Sequence, residues 1–164
     1  MPGADGDGAG TWVLLTYRMP REPSTARVGV WRKLKRLGVA QLADGIVALP
    51  ADARTREHLE WLADEVVESG GAATVWEARP GGRHAGRELA EAMSEARAAE
   101  YRAVADQARS AGVDEGARRN TVRRLRGELR KIGRRDYFPP PERAEARSAV
   151  DELAASGEHE EATR

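Results

Sequence analysis

The chain contains no cysteine, which excludes disulfides, thiolate metal centres and thiol redox chemistry together. It also lacks any apolar run long enough to span a bilayer. Its first ten residues, MPGADGDGAG, hold neither the basic nor the apolar part of a signal peptide. A cytoplasmic protein without membrane association is the expectation. Net charge is absent too, since 27 Lys and Arg balance 27 Asp and Glu. With a third of the residues charged, placement matters more than the sum.

Catalytic signatures are equally scarce. His58, His84 and His159 are scattered over an acidic helix, a glycine-rich hinge and the tail. None has a partner at metal-ligand spacing, so they read as exposed histidines. Gly81-Gly82 is not followed by Lys-Ser, so no phosphate loop is present. No Ser/His/Asp arrangement stands out, and paired acids are too numerous on the helices to be specific. Enzyme activity, a resident metal and a cofactor are therefore not expected.

What is present is a clear alternation of elements. Residues 1–10 read as a disordered leader. The unbroken run Trp12-Val13-Leu14-Leu15 suggests a central strand. After Pro20 and Pro23, Ser24 offers an N-cap hydroxyl. Val30, Trp31, Leu34 and Leu37 then recur on one apolar helical face, with Arg32, Lys33, Lys35 and Arg36 on the other side, and Gly38 ends the helix. Short strands at about 39–43 and 46–49 pair through Asp44-Gly45, which supplies the positive dihedrals of a tight hairpin. A second, acidic helix at about 55–69 takes its apolar face from Leu59, Leu62, Val66 and the neighbouring Trp61, and it ends at Gly70-Gly71. A fourth strand follows at about 73–76. The order βαββαβ predicts a ferredoxin-like α+β sandwich over 11–79. Trp12, Trp31, Trp61 and Trp76 fall one on each of four elements and read as core residues.

Pro80-Gly81-Gly82 opens a hinge at 80–85, and a C-terminal helical extension is expected over 86–155. Its first helix, at about 86–110, places Leu89, Met93, Ala96 and Val104 at helical spacing. Gly112 and Gly116 bracket a turn. The next helix, at about 117–132, carries Val122, Leu125, Leu129 and Ile132. After Asp136-Tyr137-Phe138 and three prolines, a short helix at about 142–155 precedes a tail at 156–164 read as disordered.

The helical extension also carries the strongest charge pattern. At 100° per residue, Arg119, Arg123, Arg126, Arg130 and Arg134 lie within about 80° of each other, roughly opposite Leu125 and Ile132. A guanidinium grips phosphate with two parallel hydrogen bonds, so such a stripe has the electrostatic character of a nucleic-acid-backbone contact. Arg32, Lys33 and Arg36 on the first helix are the second candidate group. The alternative is internal neutralisation by the acids at 57–68 or by Glu88, Glu91, Glu95 and Glu100. A helix-turn-helix is not evident.

The string REPSTARVGVWRKLKRLGVAQLADGIVALPADARTREHLEWLADEVVESGGAATVWEAR, with the later RRNTVRRLRGELRKIGRRDYFPPPERAEARSAVDELAA, resembles the N-terminal domain of the chromate-resistance regulator family (ChrB type). The likeness covers most of residues 11–155. The core is similar to the middle domain of phenylacetate-pathway repressors and, at fold level, to the small ferredoxin-like nucleases of CRISPR adaptation. The resemblance implies a transcription regulator that responds to chromate and governs an efflux operon; the alternatives are a non-DNA interaction module that pairs with a separate oxyanion-sensing domain and, last in order, a chromate-handling enzyme. It further implies promoter DNA as partner and chromate or another oxyanion as a possible ligand; a homodimer is the expected assembly. The family's usual C-terminal domain, where oxyanion sensing is thought to sit, is expected to be absent. The nuclease relatives hold metal with an Asp at the end of the first strand, where this chain has Thr16-Tyr17-Arg18; that substitution argues against metal-dependent cleavage.

Overall fold

A computed structural model describes residues 10–112 and 114–161. The chain divides into two compact units, Met1–Met93 and Ser94–Arg164.

The first unit alternates strands and helices: β1 (Trp12–Arg18), α1 (Ser24–Leu37), β2 (Ala40–Ala43), β3 (Ile46–Pro50), α2 (Ala53–Glu68) and β4 (Ala72–Ala78). The sheet order is β2-β3-β1-β4, antiparallel throughout. This is the ferredoxin-like arrangement, in which β3 enters between β1 and β2 and each helix links non-adjacent strands. The apolar run from Trp12 indeed forms a central strand. Register sorts its side chains: Val13 and Leu15 stand beside Leu49 and Val47, and all four are fully buried. Val30 and Leu34 of α1, with Leu59, Leu62 and Val66 of α2, complete that core.

Local chemistry explains the element ends. Gly38 closes α1 with φ 70°, and its N–H reaches back to the last turn. The Ser24 hydroxyl makes no cap; Pro23 takes the N-cap position without a side-chain bond, and Ser24 is the first helical residue. Around α2 a capping box is complete. Asp52 accepts from the Thr55 N–H at 2.7 Å while Thr55 Oγ1 accepts from the Asp52 N–H at 2.9 Å. The Thr55 hydroxyl then donates to Pro50 O at 2.6 Å, which lets this polar residue be fully buried. At the β2–β3 turn only Gly45 has a positive φ, 73°; Asp44 does not, contrary to the hairpin expectation, and a register shift between Gln41 and Ala43 takes up the difference.

The tryptophans are the main correction. Trp12 is 3% exposed, but Trp31, Trp61 and Trp76 are 49%, 63% and 53% exposed. Trp61 stands about 200° from Leu59 around the helix, and Trp31 about 100° from Val30, so both fall off the buried stripe. Trp76 pairs with Leu14 on the sheet face away from Val13, where its indole N–H donates to Thr16 Oγ1 at 3.0 Å.

The second unit is helical. It takes in the C-terminal part of α3 (Arg83–Arg109), then α4 (Glu115–Arg134) and α5 (Glu142–Glu161). Its core gathers Tyr101, Val104, Ala105 and Ala108 with Val122, Leu125 and Ile132, closed by Ala146, Ala149 and Val150. Ala96, expected on the apolar face, is exposed. Gly116 lies inside α4 instead of ending a turn, because Asp114 caps the helix by accepting from the Ala117 N–H at 2.9 Å. α3 begins at Arg83, before the Gly86 start expected from the sequence, and α5 continues to Glu161, past the expected end at Ala155. The leader at 1–9 and residues 162–164 lie outside the described residues. No helix among the described residues is long and apolar enough to cross a membrane.

Candidate nucleic-acid interface

The α4 sequence, EGARRNTVRRLRGELRKIGR, segregates apolar from basic residues along most of its length, with Arg118 the exception, buried on the same side as Val122 and Leu125. Val122, Leu125 and Ile132 face the core. That burial fixes the rotation of the helix and so decides which guanidiniums meet water. Arg119, Arg123, Arg126, Arg130 and Arg134 are all exposed.

Their partners differ. Arg119 pairs with Glu115 one turn earlier, and Arg126 reaches Asp151 of α5 at 3.4 Å. Arg123, Arg130 and Arg134 make no ion pair among the described residues. These three lie within about 40° of one another at 100° per residue, spread along about 16 Å of helix axis. The acids of the same unit take other cations. Glu100 holds Arg135 and Arg97, Glu95 and Glu142 hold Arg102, and Glu128 holds Lys131. Arg124 donates to Gln107 at 2.8 Å. Internal neutralisation therefore operates, but stops short of one row.

Exposed surface pairs such as Arg119–Glu115 contribute little, in general ~0.2–1 kcal/mol, so these arginines can exchange a carboxylate for another anion at small cost. The buried polar pair of the unit is a different matter. Tyr101 donates to Asp136 Oδ2 at 2.9 Å, and Arg143 approaches the same oxygen at 3.7 Å. Burial, with the Asp136 bond next, raises the Tyr101 phenol to about 12. Periodicity alone does not find this contact, because Asp136 follows the helix rather than lying within it.

On α1 the candidates behave less uniformly. Lys33 is engaged by Glu65 of α2 at 2.6 Å, and Lys35 lies over the Trp31 ring, 4.4 Å from its centroid. Arg32 and Arg36, one turn apart, are exposed and make no ion pair among the described residues. Arg36 and Lys33 edge a shallow depression of about 330 Å³ with His58, Trp61 and Glu65. The two basic helices belong to different units. Among the described residues, no three His, Asp or Glu side chains gather as a metal-holding group.

Fold and surface together define a class: a ferredoxin-like α+β unit joined in one chain to a helical unit with an arginine-lined helix. The chain belongs to the family described as Protein ChrB, N-terminal, whose profile matches residues 27–162. It is similar to Protein ChrB of Cupriavidus metallidurans, with 29% identity over 169 aligned residues, covering 90% of this chain and 48% of that protein. The chain thus spans about half the length of this curated relative. No solved structure matches.

Proposed function

We propose that this chain is the DNA-contacting part of a chromate-resistance-associated transcription regulator, acting in the cytoplasm as a homodimer and without a catalytic step or cofactor of its own. The observation that carries the reading is the row Arg123, Arg130 and Arg134 on α4, exposed and without acidic partners among the described residues. A row of guanidiniums on a helix held by its opposite face suits contact with successive phosphates, which supplies affinity and orientation but no sequence reading. Arg119 and Arg126 extend the same side of the helix, and Arg32, Lys33 and Arg36 on α1 form the second contact group.

The test is a salt titration of binding to duplex DNA from the region upstream of the chain's own gene. Log affinity should fall linearly with log salt, by about 0.9 for each phosphate neutralised. Affinity that ignores salt, or no binding at all, removes the proposal. Sedimentation of the free chain against the complex reads the dimer in the same samples.

A second reading is a protein-interaction module that pairs with a separate oxyanion-sensing domain. The exposed Trp61 and Val67 on α2 favour it, since large apolar side chains at the surface suit a partner better than water. A chain that ignores DNA yet captures such a domain would establish this reading. Calorimetry with chromate against sulfate tests direct oxyanion binding to either arginine group.

A further inference from the structure

The end of β1, the start of α1 and the β2–β3 turn enclose a cleft of about 690 Å³. It lies wholly in the first unit, away from the α4 residues used above in sequence and in unit. One wall is Trp31, half exposed. Arg18 and Arg27 edge the cleft, both exposed and without an ion pair among the described residues. Tyr17 and Asp44 form its polar end.

This end is held by backbone. Tyr17 N–H donates to Gly45 O at 2.8 Å, and a Cβ on Gly45 would stand 2.5 Å from Tyr17 O. Asp44 is thereby fixed next to Tyr17, whose phenol is pushed up from its ordinary value by burial and then by Asp44. Gln41 spends its amide N–H on Ala43 O at 2.9 Å, which leaves its side-chain oxygen as an acceptor.

The volume falls in the range of sites for small organic ligands and far exceeds the needs of a lone tetrahedral oxyanion. A flat apolar wall beside two unpaired guanidiniums asks for a ligand that joins a π-system to an anion. Lys35 covers one face of the indole, which leaves the other for stacking. We propose that this cleft binds a nucleotide, with its base against Trp31, its phosphate between Arg18 and Arg27, and its sugar or base donors directed to Asp44. The same chemistry is offered by a free mononucleotide and by an unpaired nucleotide of a nucleic acid strand.

The experiment is calorimetry on the whole chain with AMP, UMP, sodium sulfate, a single-stranded deoxythymidine octamer and a duplex of equal length. Trp31→Ala should weaken binding on the order of 5- to 150-fold, as loss of one base-aromatic stack does. The double variant R18A/R27A should weaken it at least about tenfold. All three residues are exposed, and thermal melts confirm that each variant folds. Binding of AMP or UMP with these losses identifies a free nucleotide. Binding of the octamer alone, with the same losses, identifies an unpaired nucleotide in a strand. The proposal is overturned if neither binds, if Trp31→Ala binds as well as the parent, or if sulfate binds as tightly as AMP. The variant R123A/R130A/R134A separates this site from α4: it should leave AMP binding unchanged, and an equal loss there overturns the assignment to the cleft.

Discussion

The two basic helices, α1 and α4, read almost alike as strings and behave differently as surfaces. In α1 the run Arg32-Lys33-Lys35-Arg36 is broken up by its surroundings: Lys33 goes to Glu65 and Lys35 to the Trp31 ring. In α4 the neighbouring acids are out of register with one row, so Arg123, Arg130 and Arg134 stay unpaired among the described residues while Arg119, Arg126 and Lys131 do not. The lesson is that charge available to a ligand depends on helix rotation and on where the facing carboxylates end. The apolar stripe sets the first, and the packing of neighbouring helices sets the second.

The variant R123A/R130A/R134A should break that comparison most sharply. It is expected to weaken DNA binding by about a thousandfold or more, at roughly 1.5–3 kcal/mol per charged contact, and to flatten the salt dependence by about 2.7 in slope. Anisotropy titrations across salt concentrations measure both. R32A/R36A should act in the same direction with a slope change of about 1.8; equal effects from the two variants would put both helices on the DNA.

The next effect is on stability. Tyr101→Phe leaves buried Asp136 without its phenol donor and should cost about 1–3 kcal/mol by denaturant melts, against almost nothing for exposed arginines. Because folding raises the Tyr101 phenol to about 12, its contribution is complete below about pH 10, the unfolded value. It is lost as pH climbs through about 12. Melting temperatures should therefore drop between those limits, and the Phe variant should lack that part of the drop.

Smaller still is Gly127→Ala. A Cβ there meets only the Arg130 guanidinium, at an ordinary 3.8 Å, so the gain in helix propensity should stabilise the chain by about 0.5–1 kcal/mol in the same melts. The smallest is Lys33→Ala, which removes an exposed pair on α1 worth about 0.2–1 kcal/mol. A larger loss would mean that the α1–α2 contact relies on Glu65 more than its exposure suggests.

Much of the architecture was legible from local signals. Gly38, Asp44-Gly45 and Gly70-Gly71 mark real element ends, and the apolar run from Trp12 marks the central strand. The spacing of Leu59, Leu62 and Val66 marks the packed face of α2. Trp12 is in the core as expected, whereas Trp31, Trp61 and Trp76 are not, because belonging to an element does not fix the direction of a side chain; on the wheel, Trp61 opposes Leu59. The Asp52/Thr55 box was not legible: the usual signature is Ser or Thr followed three residues later by Glu or Gln, and the Asp-Thr order here hides a helix start at Ala53, two residues before the expected 55. Nor was Tyr101–Asp136, since a hydrogen bond between residues so distant in sequence leaves no periodic trace. Of the candidate interface, the wheel located the α4 row, but only the positions of Glu115 and Asp151 separate its engaged members from the three that remain.

Two glycines meet the last residues of β1. Gly45 abuts Tyr17 O, and Gly71 abuts Arg18 O and the Val66 side chain so closely that no Cβ fits without movement. The mouth of the β1 cleft is thus shaped by positions that contribute no chemistry to it. Its affinity can be retuned through Arg18, Arg27 or Trp31 at little structural cost, whereas its contour admits almost no variation, because any side chain at 45 or 71 would push the strand end itself.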